Sequence, residues 1–368
     1  LSTAMALANH GDGPLKERFL PHLLRRDAGV WQGATWMTEA GGGSDLGATV
    51  ETVARRHGER WLLTGDKYFA SNVGAELAIV AARPEGAPAG VRGLALFLVP
   101  RLREDGTLNY RVRRLKEKIA TRSVPTGEVE LRASEAFLLG KPAQGIYLIL
   151  EALNLSRAAN SMGSVALAQR AMKEALAFAS ERRAFGKPLL EHPLMRKQFE
   201  GRLQALRAAL ALAWESVRRL EEVRTETAPY SERYHAFRLI AHLAKYWTAE
   251  LAAQTAKWAM EVHGGAGALT EYPVERWLRE AMILAIWEGP AHRQILDGLE
   301  TMERFHAHRT ILEDLAKDSS RPGLDAMGRR IEDHLALDAT EREARAEELF
   351  RELAVFIGES LLNYSMPA

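Results

Sequence analysis

Cysteine is absent from all 368 residues. The chain therefore forms no disulfide, thiol nucleophile, thiolate zinc site or cysteine-ligated iron–sulfur cluster. The absence fits a reducing cytoplasm. Long apolar runs are lacking as well. The apolar stretch 208–214 is short and lies in an amphipathic, charged segment, far below the ~18 residues of a membrane helix. No basic segment followed by an apolar one opens the sequence, so no secretory leader is read there. It starts at Leu1, and a natural N-terminal portion is expected to precede it. Charge of one sign is missing too: 49 Lys and Arg face 48 Asp and Glu, a net of +1. No global field steers such a chain toward nucleic acid or an acidic membrane. What is present is ordinary for a globular protein, 47% hydrophobic and 26% charged. The length admits roughly two to three domains and a sizeable core.

Three textures follow one another. Residues 1–29 read as a helix, a glycine-rich break at 11–14 and a short second helix ending near Arg25. Residues 30–140 have strand texture, with candidate strands at 48–55, 61–69, 77–82, 93–99, 110–115 and 126–131. Gly65-Asp66, residues 83–90 and Pro100 punctuate them. Short strands with turn signals and no helices between them predict an antiparallel β domain, not a doubly wound parallel sheet. From Pro142 the chain is helical and rich in alanine. After a helix at about 145–182, one starting near Pro193 spaces Phe199, Leu203, Leu206, Leu210, Trp214, Val217 and Leu220 by threes and fours. The next repeats the pattern with Ile240, Leu243, Trp247, Leu251, Trp258 and Val262. Such stripes bury a face against neighbouring helices and predict an up-and-down bundle. The predicted class is α+β. The stretch 325–362 also has helical periodicity, suited to capping the bundle or joining subunits.

The densest chemical signal is Trp36-Met37-Thr38-Glu39-Ala40-Gly41-Gly42-Gly43-Ser44-Asp45-Leu46. Three glycines let backbone N–H groups approach an anion, and Thr38 and Ser44 add hydroxyl donors. It is neither a Walker A loop, since no Lys-Ser/Thr follows, nor a Rossmann fingerprint, since no helix opens after it in an antiparallel zone. A flexible turn is the plainer reading. In Lys67-Tyr68-Phe69-Ala70-Ser71-Asn72, Phe69 and Ser71 share a strand face. A flat ring could rest on Phe69 while Ser71 bonds its edge, but taken alone an ordinary half-buried strand end is the better explanation. Glu181-Arg182-Arg183-Ala184-Phe185-Gly186-Lys187 ends a helix, with Gly186 and Pro188 as stop signals. Glu261-Val262-His263-Gly264-Gly265-Ala266-Gly267 and Ile286-Trp287-Glu288-Gly289-Pro290 complete the set. The basic residues Arg111, Arg113, Arg114, Lys116, Lys118 and Arg122 could attract phosphates, but a charged edge strand is the simpler account.

In this order the motifs resemble those of the acyl-CoA dehydrogenase family over roughly residues 10–300. Trp-Glu-Gly, the stretch Arg114-Leu115-Lys116-Glu117-Lys118 and the long tail look closest to the branch that includes the alkylation-inducible adaptive-response flavoprotein. The resemblance implies four zones: a remnant of an N-terminal helical domain (1–29), an antiparallel β domain (30–140), a C-terminal helical bundle (141–305) and a helical extension (306–368). It implies FAD held between β domain and bundle, and an acyl-CoA substrate dehydrogenated at its α,β bond. Met37 and Thr38 would meet the pyrimidine edge of the flavin. Gly43 and Ser44 would lie along its pyrophosphate, Ser44 also beside the thioester arm. Phe69 and Ser71 replace the family's usual Trp and Thr near the ring. Arg182, Phe185, Glu261 and Gly265 would reach the FAD of a neighbouring subunit, which implies a homodimer or homotetramer. Glu261 replaces the usual Gln. His292 stands where Gln or Asn is usual and would bond the flavin.

By the same resemblance Glu288 is the base that removes the α proton, while hydride passes to flavin N5. Ile286, Trp287 and Pro290 would desolvate its carboxylate, and its backbone N–H would polarise the thioester oxygen. Arg157 and Gly289 complete the implied substrate contacts. Relatives that carry the base on the first bundle helix are no guide, since Ser156 stands there. The implied acceptor is electron-transferring flavoprotein and the implied setting fatty acid metabolism. An alternative is an alkylation-response flavoprotein that binds nucleic acid and turns over little. Residues 301–368 carry 9 Lys and Arg against 14 Asp and Glu, and an acidic tail repels phosphate backbones.

Overall fold

The structure, a computed structural model, describes residues 1–317 and 322–362. Two units are distinct, Leu1–Ser156 and Arg157–Ala368. In the first, α1 (Ser2–His10) stops at Gly11. Then α2 (Gly13–Leu23) starts on a cap, Asp12 Oδ1 accepting from the Leu15 N–H at 2.9 Å with Pro14 in the first turn. Leu7, Leu15 and Phe19 join one core with Leu77, Ile79, Leu96 and Leu98 of the sheet.

That sheet has seven strands: β1 (Gly33–Trp36), β2 (Val53–His57), β3 (Arg60–Ser71), β4 (Leu77–Pro84), β5 (Ala95–Pro100), β6 (Arg111–Leu115) and β7 (Thr126–Leu139). Helix α3 (Leu46–Thr49) lies between β1 and β2. The pairings β2–β3, β3–β7, β5–β7, β4–β5 and β6–β7 are antiparallel. β1 and β2 run parallel to β4, and the β2 pairing closes β4-β2-β3-β7-β5 into a ring. Every residue of β4 from Leu77 to Ala82 is buried. A strand covered on both faces carries no alternation from which strand direction could be read.

Two local readings are corrected. The predicted strand 48–55 opens as α3, whose cap Asp45 accepts from the Ala48 N–H at 3.2 Å, and β2 begins only at Val53. Gly65 is not a turn. It lies inside β3 at a register shift, with φ +154, where a Cβ would stand 2.5 Å from Thr52 Oγ1.

β6 is exposed throughout and, among the described residues, pairs only with β7. Its charges are matched across the ladder: Arg114 and Lys116 meet Glu128 at 2.7 and 2.6 Å, and Arg113 meets Glu130 at 3.2 Å. Arg114, then Lys116, hold the Glu128 carboxyl down at about 2; Arg132, then Arg113, do the same for Glu130. Lys118 turns inward instead, donating to Thr121 O at 2.7 Å and Val124 O at 2.8 Å. This is the edge-strand arrangement, not an open phosphate site.

The unit boundary falls within α4 (Gly145–Glu181). The second unit continues with a small hairpin, β8 (Arg183–Ala184) and β9 (Lys187–Pro188), then α5 (Pro193–Val223), α6 (Glu232–His263), α7 (Val274–Ile286) and α8 (Ala291–Phe305). It ends with α9 (Ala307–Lys317), α10 (Leu324–Leu335), α11 (Ala339–Ala344) and α12 (Ala346–Leu362). The α6 stripe is buried as predicted, from Ile240 to Val262. The α5 stripe is only half right. Phe199 and Leu206 are buried, but Leu203, Leu210 and Trp214 are 42%, 37% and 56% exposed. Ala208, Ala209, Leu212 and Ala213 are buried instead, because small residues let α12 come close: the Gly358 Cα faces Ala208 O, and a Cβ there would be 2.7 Å from it.

No helix among the described residues is long and apolar enough to cross a membrane. α12 belongs to the same core as α5, α6 and α8. Phe350 is 1% exposed and fills the notch at Gly298, where a Cβ would lie 2.3 Å from its ring. Phe350→Ala is expected to destabilise the protein by about 3–5 kcal/mol, read as a shifted denaturant midpoint. An unchanged midpoint would show that α12 is not part of the core.

Candidate active site

The loop after β1 is built on a buried ion pair that motif reading missed. Lys67 Nζ lies 2.5 Å from Glu39 Oε1, and the side chains are 0% and 7% exposed. Glu39 also accepts from the Thr52 hydroxyl at 2.6 Å and from the Glu51 and Thr52 amides at 2.8 and 3.2 Å. Lys67 donates to Ala81 O at 2.7 Å and to Met37 O at 3.5 Å. Burial pushes the Lys67 ammonium below its ordinary value, and Glu39 opposes that push. The pair thereby fixes Met37, which is buried, and Thr38, whose carbonyl accepts from the Tyr68 N–H at 3.0 Å.

Past this anchor Gly41, Gly43 and Ser44 are exposed. A Cβ on Gly43 would stand 2.6 Å from Thr38 Oγ1. Only glycine lets the loop fold back that far, so the Thr38 hydroxyl and the open backbone at Gly43-Ser44 lie side by side. That is a donor set suited to a phosphate-bearing cofactor. On β3, Phe69 is 53% exposed and Ser71 half-buried, with Ala70 buried between them, so the two share the open face. Ser71 Oγ is 3.0 Å from Thr126 Oγ1, which itself accepts from Lys118 Nζ at 3.0 Å. Thr126 Oγ1 also donates to Val124 O at 3.4 Å, and either hydroxyl of the Ser71–Thr126 pair can supply the proton between them.

In the second unit Glu288 sits on a sharp turn after α7, with φ +58, followed by Gly289 at φ +97. Side chains from three helices hold this turn by its carbonyls. Asn160 on α4 donates to Leu284 O at 3.1 Å and accepts from Trp287 Nε1 at 2.6 Å. Lys245 on α6 donates to Ala285 O at 3.0 Å and Gly289 O at 2.6 Å. Gln294 on α8 donates to both Glu288 O and Gly289 O at 2.9 Å. Arg157 Nε reaches Glu288 O at 3.3 Å, and its Nη2 lies 3.5 Å from Asp297. Burial, then Arg157, pulls Lys245 down to about 8, against the pull of Glu288. Arg157 is only 4% exposed. Ile286 and Trp287 are 60% and 37% exposed, while Glu288 between them and Gly289 is half-buried, with its Oε2 shielded from solvent.

His242 completes the network, its Nδ1 3.0 Å from Gln294 Oε1. Both Gln294 amide hydrogens are used on carbonyls, so Oε1 must accept and His242 must donate from Nδ1. Burial, then Arg157, presses the His242 ring down to about 3 from 6.5. Above pH 6.5 the folded and unfolded rings are both neutral. Below it the unfolded chain takes up a proton that the folded chain refuses, so stability falls as pH drops toward 3. The loss attributable to this ring is expected to reach about 2 kcal/mol by pH 5, at 1.36 kcal/mol per unit. Urea melts at pH 7.5 and 5 check it: His242→Gln should flatten the slope, and an equal slope would refute the assignment.

The remaining predicted residues are spread over exposed surface of the second unit. Phe185 is 97% exposed at the tip of the β8–β9 hairpin, where Phe185 and Gly186 both have positive φ, as a two-residue hairpin turn requires. The helix stop is therefore at Glu181, and Gly186 serves the hairpin instead. Arg182 and His292 are exposed. Glu261 is paired with Lys257 one turn earlier, and Gly265 follows the α6 terminus. Lys245, Gln294, His242 and Asn160 were missed by motif reading. The signal for the α6 pair was two polar residues three apart inside the otherwise apolar run 239–247.

A glycine-rich loop on a β sheet and a carboxylate on a left-handed turn of a helical bundle define a class of chain that sequence comparison can now name. Residues 34–134 match the acyl-CoA dehydrogenase middle domain and residues 143–302 its C-terminal domain. The chain belongs to the acyl-CoA dehydrogenase family, whose members are FAD-dependent flavoproteins. It is 32% identical to the AidB protein of Escherichia coli (strain K12) over 96% of its own length, and spans 64% of that protein. It is 30% identical to glutaryl-CoA dehydrogenase of Desulfococcus multivorans, covering 79% of this chain and 71% of that one. The structure of Caenorhabditis elegans ACDH-11 in complex with C11-CoA superposes with a TM-score of 0.83 at 25% identity, covering 98% of this chain and 68% of that one.

Proposed function

We propose that this chain catalyses FAD-dependent α,β-dehydrogenation of an acyl-CoA, with Glu288 as the base. The observation that carries the proposal is the Glu288 turn: a carboxylate on a strained backbone, fixed by carbonyl contacts and electrostatically coupled to Arg157 and Lys245. FAD, when bound, supplies the two-electron acceptor. Met37, Thr38, Gly43, Ser44, Phe69 and Ser71 are the proposed contacts from the first unit. The Gly43 fold-back on Thr38, which a Cβ would fill, fits a phosphate-bearing group. Glu288 accepts the α proton, while its N–H and the Gly289 region orient the thioester. Arg157 acts as a buried cation beside the base.

A homo-oligomer is the proposed state, with Arg182, Phe185, Glu261, Gly265 and His292 serving FAD sites. The exposed Phe185 tip and the uncovered Leu203, Leu210 and Trp214 support a second copy as partner. Electron-transferring flavoprotein is the proposed acceptor, in the cytoplasm and in fatty acid metabolism, with the four-zone domain division read from the sequence. The acidic tail speaks against the nucleic-acid alternative. The test is anaerobic titration of the FAD-supplemented protein with a panel of acyl-CoAs. Bleaching of the flavin band is the expected result. A protein that takes up no flavin, or shifts DNA in a salt-dependent gel assay without bleaching, would overturn the proposal.

A further inference from the structure

Helix α7 ends without a basic residue in its last turn. The last carbonyls of a helix have no partner within it and carry negative partial charge. Here the missing cation comes from other helices. Lys245 Nζ spans Ala285 O and Gly289 O, and Gln294 Nε2 spans Glu288 O and Gly289 O. Gly289 O thus accepts two donors, one from α6 and one from α8. His242 Nδ1 in turn fixes which way the Gln294 amide faces. A Cβ on Gly289 would lie 2.6 Å from Gln294 Nε2, so the residue after Glu288 must be glycine for the amide to reach both carbonyls.

Glu288 adopts φ +58 although it is not glycine. Such a backbone is strained and persists only where its surroundings over-determine it. The four hydrogen bonds from Lys245 and Gln294 are that surrounding. We propose that Lys245 and Gln294 are positioning residues for Glu288, setting where its carboxylate stands by clamping the carbonyls on both sides of its Cα. Neither residue needs to touch the substrate, and the inference rests on Glu288 being the base. The clamp takes its donors from α8 and α6.

The test uses Gln294→Met and Lys245→Met in the full chain. Met matches Gln in length and is one atom shorter than Lys, removes the donors, and in the second case removes a buried ammonium whose burial is costly, so both variants are expected to fold. Gln294→Asn is the reserve: still an amide, but one methylene too short to span both carbonyls. The first readout is hydrogen exchange of the apoprotein over residues 284–290. Exchange is expected to rise about tenfold, the effect of losing one or two such hydrogen bonds, while α5 and α6 keep their protection. Unchanged exchange at the turn overturns the clamp. The second readout is flavin bleaching in FAD-loaded protein. Its rate at saturating acyl-CoA should fall at least about tenfold, while the half-saturating concentration moves less than about twofold. An unchanged saturating rate, or a loss confined to half-saturation, also overturns it. A parent protein that never bleaches sinks the proposed base instead, and hydrogen exchange then decides the clamp alone.

Discussion

Replacing Glu288 by Gln in the FAD-loaded protein should lower the rate of acyl-CoA-driven flavin bleaching by about 10²–10⁴-fold, the range for loss of a general base. Gln preserves the shape of the side chain and keeps an oxygen on the turn, but it cannot accept the α proton. The backbone clamp on residues 285–289 involves carbonyls only, so it survives the substitution. Flavin uptake and the unfolding midpoint should therefore stay near those of the parent. Loss of the carboxylate also leaves Arg157 and Lys245 without one of their opposing charges, and Lys245 should titrate still lower. Stopped-flow bleaching against the acyl-CoA that reduces the parent fastest is the measurement. Unchanged bleaching would mean that another group takes the proton.

The second large effect lies under the glycine loop. Removing one partner of a buried ion pair typically costs about 3–5 kcal/mol, and Glu39 and Lys67 are both nearly inaccessible. The two deletions are not equivalent. Lys67→Met leaves Glu39 three other donors, the Thr52 hydroxyl and the Glu51 and Thr52 amides. Glu39→Leu leaves a buried ammonium with only carbonyls, Ala81 O and the long contact to Met37 O. The Glu39 variant should be the less stable, and the double variant should recover part of the loss. Urea midpoints of the three proteins decide it; equal losses, or none, would refute the ranking. Flavin affinity should fall with Glu39→Leu, because Thr38 is held by the same loop.

Much of this architecture was legible before any coordinates. The helical stripe of α6, the strand texture from Trp61 onward and the break at residues 11–14 between α1 and α2 all declare themselves through periodicity or glycine and proline. The α5 face misled because alanines on the opposite face pack more tightly than large residues, so Leu203, Leu210 and Trp214 stay outside. β1 and the parallel pairings were invisible, since β4 is buried on both sides and strand direction leaves no trace in composition. The motifs brought out Thr38, Gly43, Phe69, Ser71 and Glu288 as residue types with a chemistry. They could not reveal Lys67 beneath the loop, or Gln294 and Lys245 behind the turn. Those residues act across 28, six and 44 positions of sequence, through contacts that only a folded chain creates.

The packing of α12 has a bearing on how the molecule comes into being. Phe350 plugs the notch at Gly298, and Gly358 lies against Ala208 and Trp247. A nascent chain that has emerged only as far as residue 302, where the match to the family's C-terminal domain stops, still lacks the piece that seals its helices. The core of the second unit is complete only once α12, which ends some sixty residues further on, is available to it. Folding of this half is thus a late event in synthesis, and the newborn bundle is a natural client for chaperones that shield apolar surface.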